Sequence, residues 1–144
     1  MRSVNRLILL TLLVLLSACA GTGSKNYAEM GSQIESTADG KLFLLRDKGF
    51  VGGGLLMKVL LNGKQVAEIG SGEMIALMPT VGKNYLQVSI GGLMQMDSRA
   101  IQFDSDGKTH RYFIASIQQG FFSNELKLTE TVESSWRAEA AGAR

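Results

Sequence analysis

The sequence predicts an all-β fold, an antiparallel β-sandwich of about seven or eight strands, and three observations lead to this prediction. From Lys41 onward, short apolar runs recur roughly every 8 to 14 residues, with Gly, Asn and Asp between them. Apolar and polar residues alternate along several runs, so each strand would bury one side, as in antiparallel sheets. The joints carry turn dipeptides, above all Asn62-Gly63, which tolerates positive φ at both central positions of a hairpin turn.

The first segment, residues 1–18, has the charge and hydropathy of a cleavable export signal. Two arginines carry its only charges, and residues 7–16 include a single polar side chain. A membrane-spanning helix needs about 20 apolar residues, roughly twice the length of this run. The segment is therefore predicted to be a signal peptide and not a permanent anchor.

The residues that follow, Leu16-Ser17-Ala18-Cys19, resemble the lipobox of bacterial lipoproteins. The resemblance implies that the Cys19 thiol takes up a diacylglycerol group, that cleavage makes Cys19 the first residue, and that its new amine is acylated. Two or three acyl chains hold a protein firmly on a membrane. Ala20 stands where lipoproteins retained at the inner membrane have Asp, so we expect an anchor in the outer membrane that faces the periplasm. The alternative is an ordinary secretory signal with an incidental cysteine.

The composition of the mature chain limits its partners and cofactors. Cleavage after Ala18 leaves 126 of the 144 residues, enough for one domain. Without the two arginines of the signal, 13 basic residues face 13 acidic ones. A neutral chain argues against nucleic acid as a partner, and acylation of the only cysteine leaves none for a disulfide. No cofactor is expected, and the predicted contact with the membrane is the lipid anchor.

Three parts are predicted for the mature chain. Residues 19–40 hold the lipidated Cys19 followed by small and polar side chains, which are typical of a flexible tether. Residues 41–131 form the sandwich domain. Residues 132–144 are an Ala- and Glu-rich tail that either forms a short helix or frays. Trp136 in this tail is expected to pack, for instance on the open end of the sandwich.

Eight runs are candidates for strands, and alternation assigns faces to them. In order, they are residues 41–47, 56–62, 65–69, 73–78, 84–90, 95–103, 109–118 and 125–131. Three runs place their apolar side chains on a single face: Leu86, Val88 and Ile90; Ile101 and Phe103; Phe113, Ala115 and Ile117. Asp106-Gly107 and Gly91-Gly92 are further hairpin turn signals.

Five stretches of the domain carry a resemblance to a known family. They are a strand ending in Arg46, the loop Gly49-Phe50-Val51-Gly52, the hairpin from Val59 to Ile69, the strand Tyr112-Phe113-Ile114 and the loop Gly120-Phe121-Phe122. In these stretches the chain resembles a family of bacterial lipoproteins of unknown function with a small β-sandwich domain related to PEGA-like modules. The resemblance implies the fold, and it implies no catalytic residues.

Few residues are candidates for catalysis or metal binding. A Ser-His-Asp triad needs a histidine, and we interpret the only one, His110, as a solvent-facing residue of a strand. Four methionines supply soft thioether ligands that suit Cu(I): Met74, Met78, Met94 and Met96. Met94 and Met96 would lie on one face of a strand. The alternative is that the four methionines fill gaps in the core. We assign no catalytic residue and no metal site.

Two short polar motifs have both a ligand-binding and a structural interpretation. Asp104-Ser105-Asp106-Gly107 supplies oxygen ligands for Ca²⁺ but lacks the distal Glu of a calcium loop, so a turn is expected. Gly52-Gly53-Gly54 lacks the Lys and Ser or Thr of a phosphate-binding loop. We therefore expect a mobile loop between the first two strands.

Two glycine-hinged loops carry aromatic residues and are the candidate binding site. Phe50 and Val51 precede the triple glycine, and Phe121 and Phe122 follow Gly120. Exposed aromatic side chains of this kind are typical of partner contacts. The alternative is that these phenylalanines cap the ends of the sandwich core.

The combined features predict a protein that is not an enzyme. We expect a lipid-anchored binding or structural module in the periplasm, whose partner is another envelope protein or the cell-wall polymer. The alternative is a periplasmic carrier of a small ligand or a soft metal, with the methionines as ligands. An enzyme is the third alternative, because acid and base pairs of carboxylates can form in space without leaving a trace in the sequence.

Overall fold

The computed structural model describes residues 22–36, 39–49, 52–92, 95–120 and 123–142. This part of the chain holds two helices and nine strands: α1 (Tyr27–Ser36), β1 (Leu42–Arg46), β2 (Met57–Leu61), β3 (Lys64–Ile69), β4 (Met74–Leu77), β5 (Gly82–Ile90), β6 (Met96–Asp97), β7 (Ile101–Ser105), β8 (Arg111–Gln119), β9 (Asn124–Thr131) and α2 (Glu133–Gly142). Neither of these two helices is long and apolar enough to cross a membrane. The predicted signal peptide lies outside the described residues.

Two sheets packed against each other confirm the predicted all-β sandwich. The first sheet has the strand order β4-β1-β8-β9, and the second has the order β3-β2-β5-β6 with β7 also paired to β5. The core between them is apolar on both sides, with Leu42, Leu44, Phe113, Ala115 and Leu126 from the first sheet and Met57, Val59, Ala67, Ile69, Leu86, Val88, Ile90 and Phe103 from the second. Full burial of one such large side chain stabilises the fold by roughly 1.5 to 3 kcal/mol.

Of the two best hairpin signals, one forms a hairpin and the other joins the two sheets. Asn62 and Gly63 have φ of 54° and 77°, as a two-residue hairpin turn requires, and they connect β2 to its partner β3. Asp106-Gly107 instead leads from β7 of the second sheet to β8 of the first. The Asp106 carboxylate accepts the N–H groups of Lys108 and Thr109 at 2.8 and 2.7 Å, so the motif is a turn but not a hairpin.

The predicted strand 95–103 is two strands, β6 and β7, because Ser98 interrupts the pairing. Its hydroxyl accepts the N–H of Val88 at 3.0 Å, where a backbone carbonyl would otherwise accept it. Ser98 is 4% exposed, so this bond lies inside the protein. A short polar side chain can replace a backbone acceptor in this way and end a regular ladder.

One strand pair of the sandwich is parallel, unlike the antiparallel pairs predicted from hairpins. β1 runs parallel to β8, from Leu42 opposite Arg111 to Arg46 opposite Ala115. All five residues of β1 are buried, which matches the continuous apolar run typical of a strand covered on both faces. The one-sided burial predicted for every strand therefore does not hold for β1.

A second core covers the outer face of the first sheet. Its members are Met30 and Ile34 from α1, Trp136 and Ala140 from α2, and Phe43, Leu45, Met74 and Tyr112 from the strands. The sheet therefore lies between the main core and a layer of two short helices. This layer explains why β1 is buried on both faces.

Within residues 19–40, where the sequence predicts a flexible tether, Ser24 pairs with Met74 and residues 27–36 form helix α1. The side chain of Asn26 accepts the N–H of Glu29 at 3.3 Å and caps the start of α1. Met30 and Ile34, four residues apart on one helix face, are 3% and 7% exposed. Two apolar residues suffice here because the first sheet offers an apolar face for them to cover.

The C-terminal tail forms the second of the two described helices, and Trp136 is fully buried. Its ring lies 6.0 Å from the Phe43 ring and 5.9 Å from the Tyr112 ring, centroid to centroid. The packing expected for Trp136 is confirmed, but it takes place on the outer face of the first sheet and not at the open end of the sandwich.

Candidate functional site

The topology brings the two predicted contact loops to one end of the sandwich. Because β1 and β8 are parallel and pair up to Arg46 opposite Ala115, both strands finish at the same end. The loop from β1 to β2 and the loop from β8 to β9 both begin there. We call this end the loop end, and its described residues are 47–49, 52–55, 118–120 and 123.

Arg46 is the buried residue that organises the loop end. It is 2% exposed, and its guanidinium donates hydrogen bonds to three backbone carbonyls. One nitrogen donates to Leu55 and, at 3.1 Å, to Ile69, and the other donates to Gly52 at 2.7 Å. The fixed fork of the guanidinium group suits several acceptors at once. Arg46 therefore fastens the first loop to the end of β3.

The charge of Arg46 faces three neutral backbone carbonyls and two nearby carboxylates. Burial lowers the pKa of its guanidinium, and the nearby Asp47 and Glu73 carboxylates offset part of this effect. An arginine does not lose its proton in a protein, so a cation remains inside the loop end. Carbonyl oxygens that point at it are held more strongly than they would be by a neutral donor.

Close backbone contacts fix both loops where they leave the sheet. Gly52 has φ of 71°, and a Cβ atom there would come within 2.6 Å of the Cδ1 atom of Ile117 in β8. In the second loop the Gly120 N–H donates to the Ser123 carbonyl at 2.9 Å, and a Cβ atom at Gly120 would collide with that carbonyl oxygen. The first loop thus rests directly on the strand that leads into the second.

The carboxyl group of Asp47 stands at the edge of the loop end. Burial raises its pKa, and the nearby negative charge of Glu139 in α2 adds to the increase. The N–H of Gly49 and the positive charge of Arg46 act in the opposite direction. The ionised carboxylate is therefore less favoured here than in water, although its hydrogen bond from Gly49 helps to shape the first loop.

The N-terminal segment joins the edges of the two sheets beside the loop end. Thr22 donates its N–H to the Glu68 carbonyl at 2.7 Å, and its hydroxyl accepts the Glu68 N–H at 3.0 Å. Ser24 and Met74 exchange backbone hydrogen bonds of 2.8 and 2.7 Å. Glu68 precedes Ile69, a partner of Arg46, and Met74 pairs with Leu45, so the segment lies near the loop end.

The residues predicted to carry the site lie outside the described residues. They are Cys19 for lipidation and Phe50, Val51, Phe121 and Phe122 for partner contact, and their roles stay predictions. Their described neighbours Gly49, Gly52, Gly120 and Ser123 all lie at the loop end. Thr22, three residues after Cys19, lies beside it.

His110 is half-buried and bonded on both ring nitrogens, so its interpretation as a solvent-facing residue is wrong. Its Nδ1 accepts the N–H of Lys41 at 3.0 Å, which places the proton of the neutral ring on Nε2. Nε2 is 3.2 Å from the carbonyl of Ile34. The ring also packs edge-on against Phe43 at 5.2 Å. His110 therefore fastens the end of α1 to the first sheet.

The three candidate methionines that the structure describes, Met74, Met78 and Met96, do not lie in one place. Met74 is 1% exposed and belongs to the second core, whereas Met96 packs against the main core on the other side of the first sheet. Met78 is 58% exposed, and Met94 lies outside the described residues. Within the described ranges no group of three or more His, Cys, Asp or Glu side chains could hold a metal ion. Met74, Met78 and Met96 therefore do not form one soft-metal site.

No protein-family model, curated protein or solved structure matches this chain. The resemblance to lipoproteins with PEGA-like domains stays a prediction. The class of protein that fold and site define is a small β-sandwich with a helical layer on one sheet and two loops that begin at the same end.

Proposed function

We propose that the protein is a lipid-anchored envelope module that binds a partner, without catalysis, through the loop end of its sandwich. The anchor is Cys19, acylated after removal of residues 1–18. The location is the periplasmic face of the outer membrane. The partner is another envelope protein or the cell-wall polymer.

The observation that carries this proposal is that the two glycine-hinged loops begin at the same end of the sandwich. Arg46 holds the carbonyls of Gly52 and Leu55, and Gly52 rests on Ile117 of the strand that leads into the second loop. A binding surface whose backbone is fixed beforehand loses less conformational entropy when a partner docks. Two loops whose described ends are held in place at the same end of the sandwich therefore support a binding role for this end.

A non-enzymatic role is supported by what the reactive side chains do in the fold. Both ring nitrogens of His110 contact backbone groups. Nδ1 accepts the N–H of Lys41 before β1, and Nε2 lies next to the carbonyl of Ile34 in α1. Asp106 accepts two backbone N–H groups and the Thr109 hydroxyl within its own turn. These groups already serve the structure of the protein.

In-cell photo-crosslinking tests the proposed binding role. A photoreactive amino acid is placed at Phe50, at Phe121 or, as the control, at Lys64, which begins β3 at the opposite end of that strand from Ile69. Captured species are identified by mass spectrometry. We expect one reproducible envelope protein from either loop position and not from Lys64. Background capture alone from both loop positions would contradict binding through the loop end.

A further inference from the structure

We propose that the loop end of the sandwich faces the lipid bilayer that holds the acyl chains of Cys19. The inference rests on the proposed lipidation of Cys19. The observation that carries the inference is the attachment of the N-terminal segment, residues 22–24, to both sheets. It goes beyond the proposed function because it gives the domain an orientation.

The N-terminal segment is hydrogen-bonded to the sandwich. Thr22 is bound to Glu68 of β3 through its N–H and its hydroxyl, and Ser24 is bound to Met74 of β4 by two backbone bonds. Between them, a Cβ atom at Gly23 would lie 2.8 Å from the Glu73 Cβ. The chain is thus held at both sheets, with no space for a larger residue at position 23.

The bound segment shortens the distance between the lipid and the domain. Three residue steps separate Cys19 from Thr22, and an extended chain covers at most about 11 Å in that distance. A flexible tether over residues 19–40 would have an average reach of roughly 25 Å. The short connection keeps the part of the domain near Thr22 at the membrane surface, whereas the predicted tether would leave the domain free to rotate.

The part held at the membrane is the loop end. Glu68 and Met74, the partners of the segment, adjoin Ile69 and Leu45, which lie beside Arg46. The opposite end holds the turn before β8, and β8 is nine residues long, or about 30 Å. The exposed residues of the loop end are polar or glycine, with Lys48 as the one cation among those described: Lys48, Gly53, Gly54, Gln118, Gln119, Gly120 and Ser123.

Spin labels at the two ends of the domain test this orientation. The lipidated protein is reconstituted into vesicles of phosphatidylethanolamine and phosphatidylglycerol with a minor share of nickel-chelating lipid. A Gly54→Cys variant carries the label at the loop end, where a Cβ atom meets nothing within 4 Å. A Lys108→Cys variant carries it in the exposed turn before β8. Because Cys19 is acylated, each variant has one free thiol.

We expect paramagnetic relaxation by nickel to be several-fold stronger at position 54 than at position 108. Equal relaxation at both positions, or stronger relaxation at 108, would overturn the orientation. Protein that does not float with the vesicles would overturn the proposed lipid anchor and the orientation with it. Flotation therefore separates failure of the anchor from failure of the orientation.

A longer connection tests whether the N-terminal segment sets the orientation. Insertion of about 20 Gly and Ser residues between Gly21 and Thr22 gives the lipid a flexible connection of roughly 25 Å. The relaxation difference between positions 54 and 108 is expected to fall towards zero. A difference that persists at full size would contradict the role of the bound segment.

Discussion

An Arg46→Leu variant is expected to lose about 3 to 5 kcal/mol of unfolding free energy. The leucine leaves the carbonyls of Gly52, Leu55 and Ile69 without their donor, and each unsatisfied buried group is worth roughly 1 to 3 kcal/mol. Replacing a whole buried ion pair by apolar residues can be harmless. Here, however, the partners of Arg46 are backbone carbonyls, which no substitution removes. Urea unfolding of the protein, followed by the fluorescence of Trp136, measures the loss.

Two further variants isolate the hydrogen bonds of Arg46. Lys48→Leu changes a neighbouring exposed cation, and its unfolding free energy should stay within about 0.5 kcal/mol of wild type. Arg46→Lys keeps the charge but not the planar fork, so it should lie between wild type and Arg46→Leu. If Arg46→Leu were as stable as wild type, these three bonds would not hold the loop end.

A Trp136→Ala variant is expected to lose about 3 to 5 kcal/mol, the usual range for removal of a large buried aromatic side chain. Trp136 is fully buried between the first sheet and the rest of the helical layer. Its removal opens a cavity against Phe43 and Tyr112, and helix α2 loses its largest contact. Far-UV circular dichroism through a urea titration measures the loss.

Smaller losses are expected from two control variants in the same region. Trp136→Phe keeps an aromatic ring and removes an indole N–H that has no hydrogen-bond partner among the described residues, so it should lose under about 2 kcal/mol. Val132→Ala, at a residue 64% exposed, should change stability by less than about 0.5 kcal/mol. A Trp136→Ala variant with the stability of Val132→Ala would show that the helical layer does not stabilise the sandwich.

Most strands could be predicted because their information is local. Alternation marked β5 and β8, and the dipeptide Asn62-Gly63 fixed the hairpin between β2 and β3. The pairing of β1 with β8 could not be read in this way. It joins strands more than 60 residues apart and in parallel, and no turn motif specifies such a pair. The continuous apolar run of β1 was the available signal that this strand is covered on both faces.

The helices were harder to predict because their apolar faces are narrow. Helix α1 buries Met30 and Ile34, and Ser, Gln and Glu occupy most of its other positions. The sequence of such a segment resembles that of a polar tether, because the sheet that its two apolar residues cover is not visible in the sequence. The stability of α1 therefore comes from tertiary packing and not from its own helical propensity.

For the candidate site, the sequence marked the loops but not what organises them. Glycine and phenylalanine are visible in both loops, yet the position of the two loops at one end of the sandwich depends on the parallel pair β1 and β8. Arg46 was seen only as the end of a strand. A charged residue that closes the buried run Leu42–Arg46 was the signal for its role, because a cation in that position requires acceptors nearby.

Lipidation of Cys19 is the central claim, and mass spectrometry of the mature protein tests it most directly. The protein is extracted from cells with detergent, and the mass of its N-terminal peptide is measured beside that of a Cys19→Ser variant. We predict a chain that begins at Cys19 and carries a diacylglycerol on the thiol and an acyl group on the amine, whereas Cys19→Ser stays unprocessed. A mature chain with a free Cys19 thiol, or one that begins at another residue, would contradict the lipid anchor.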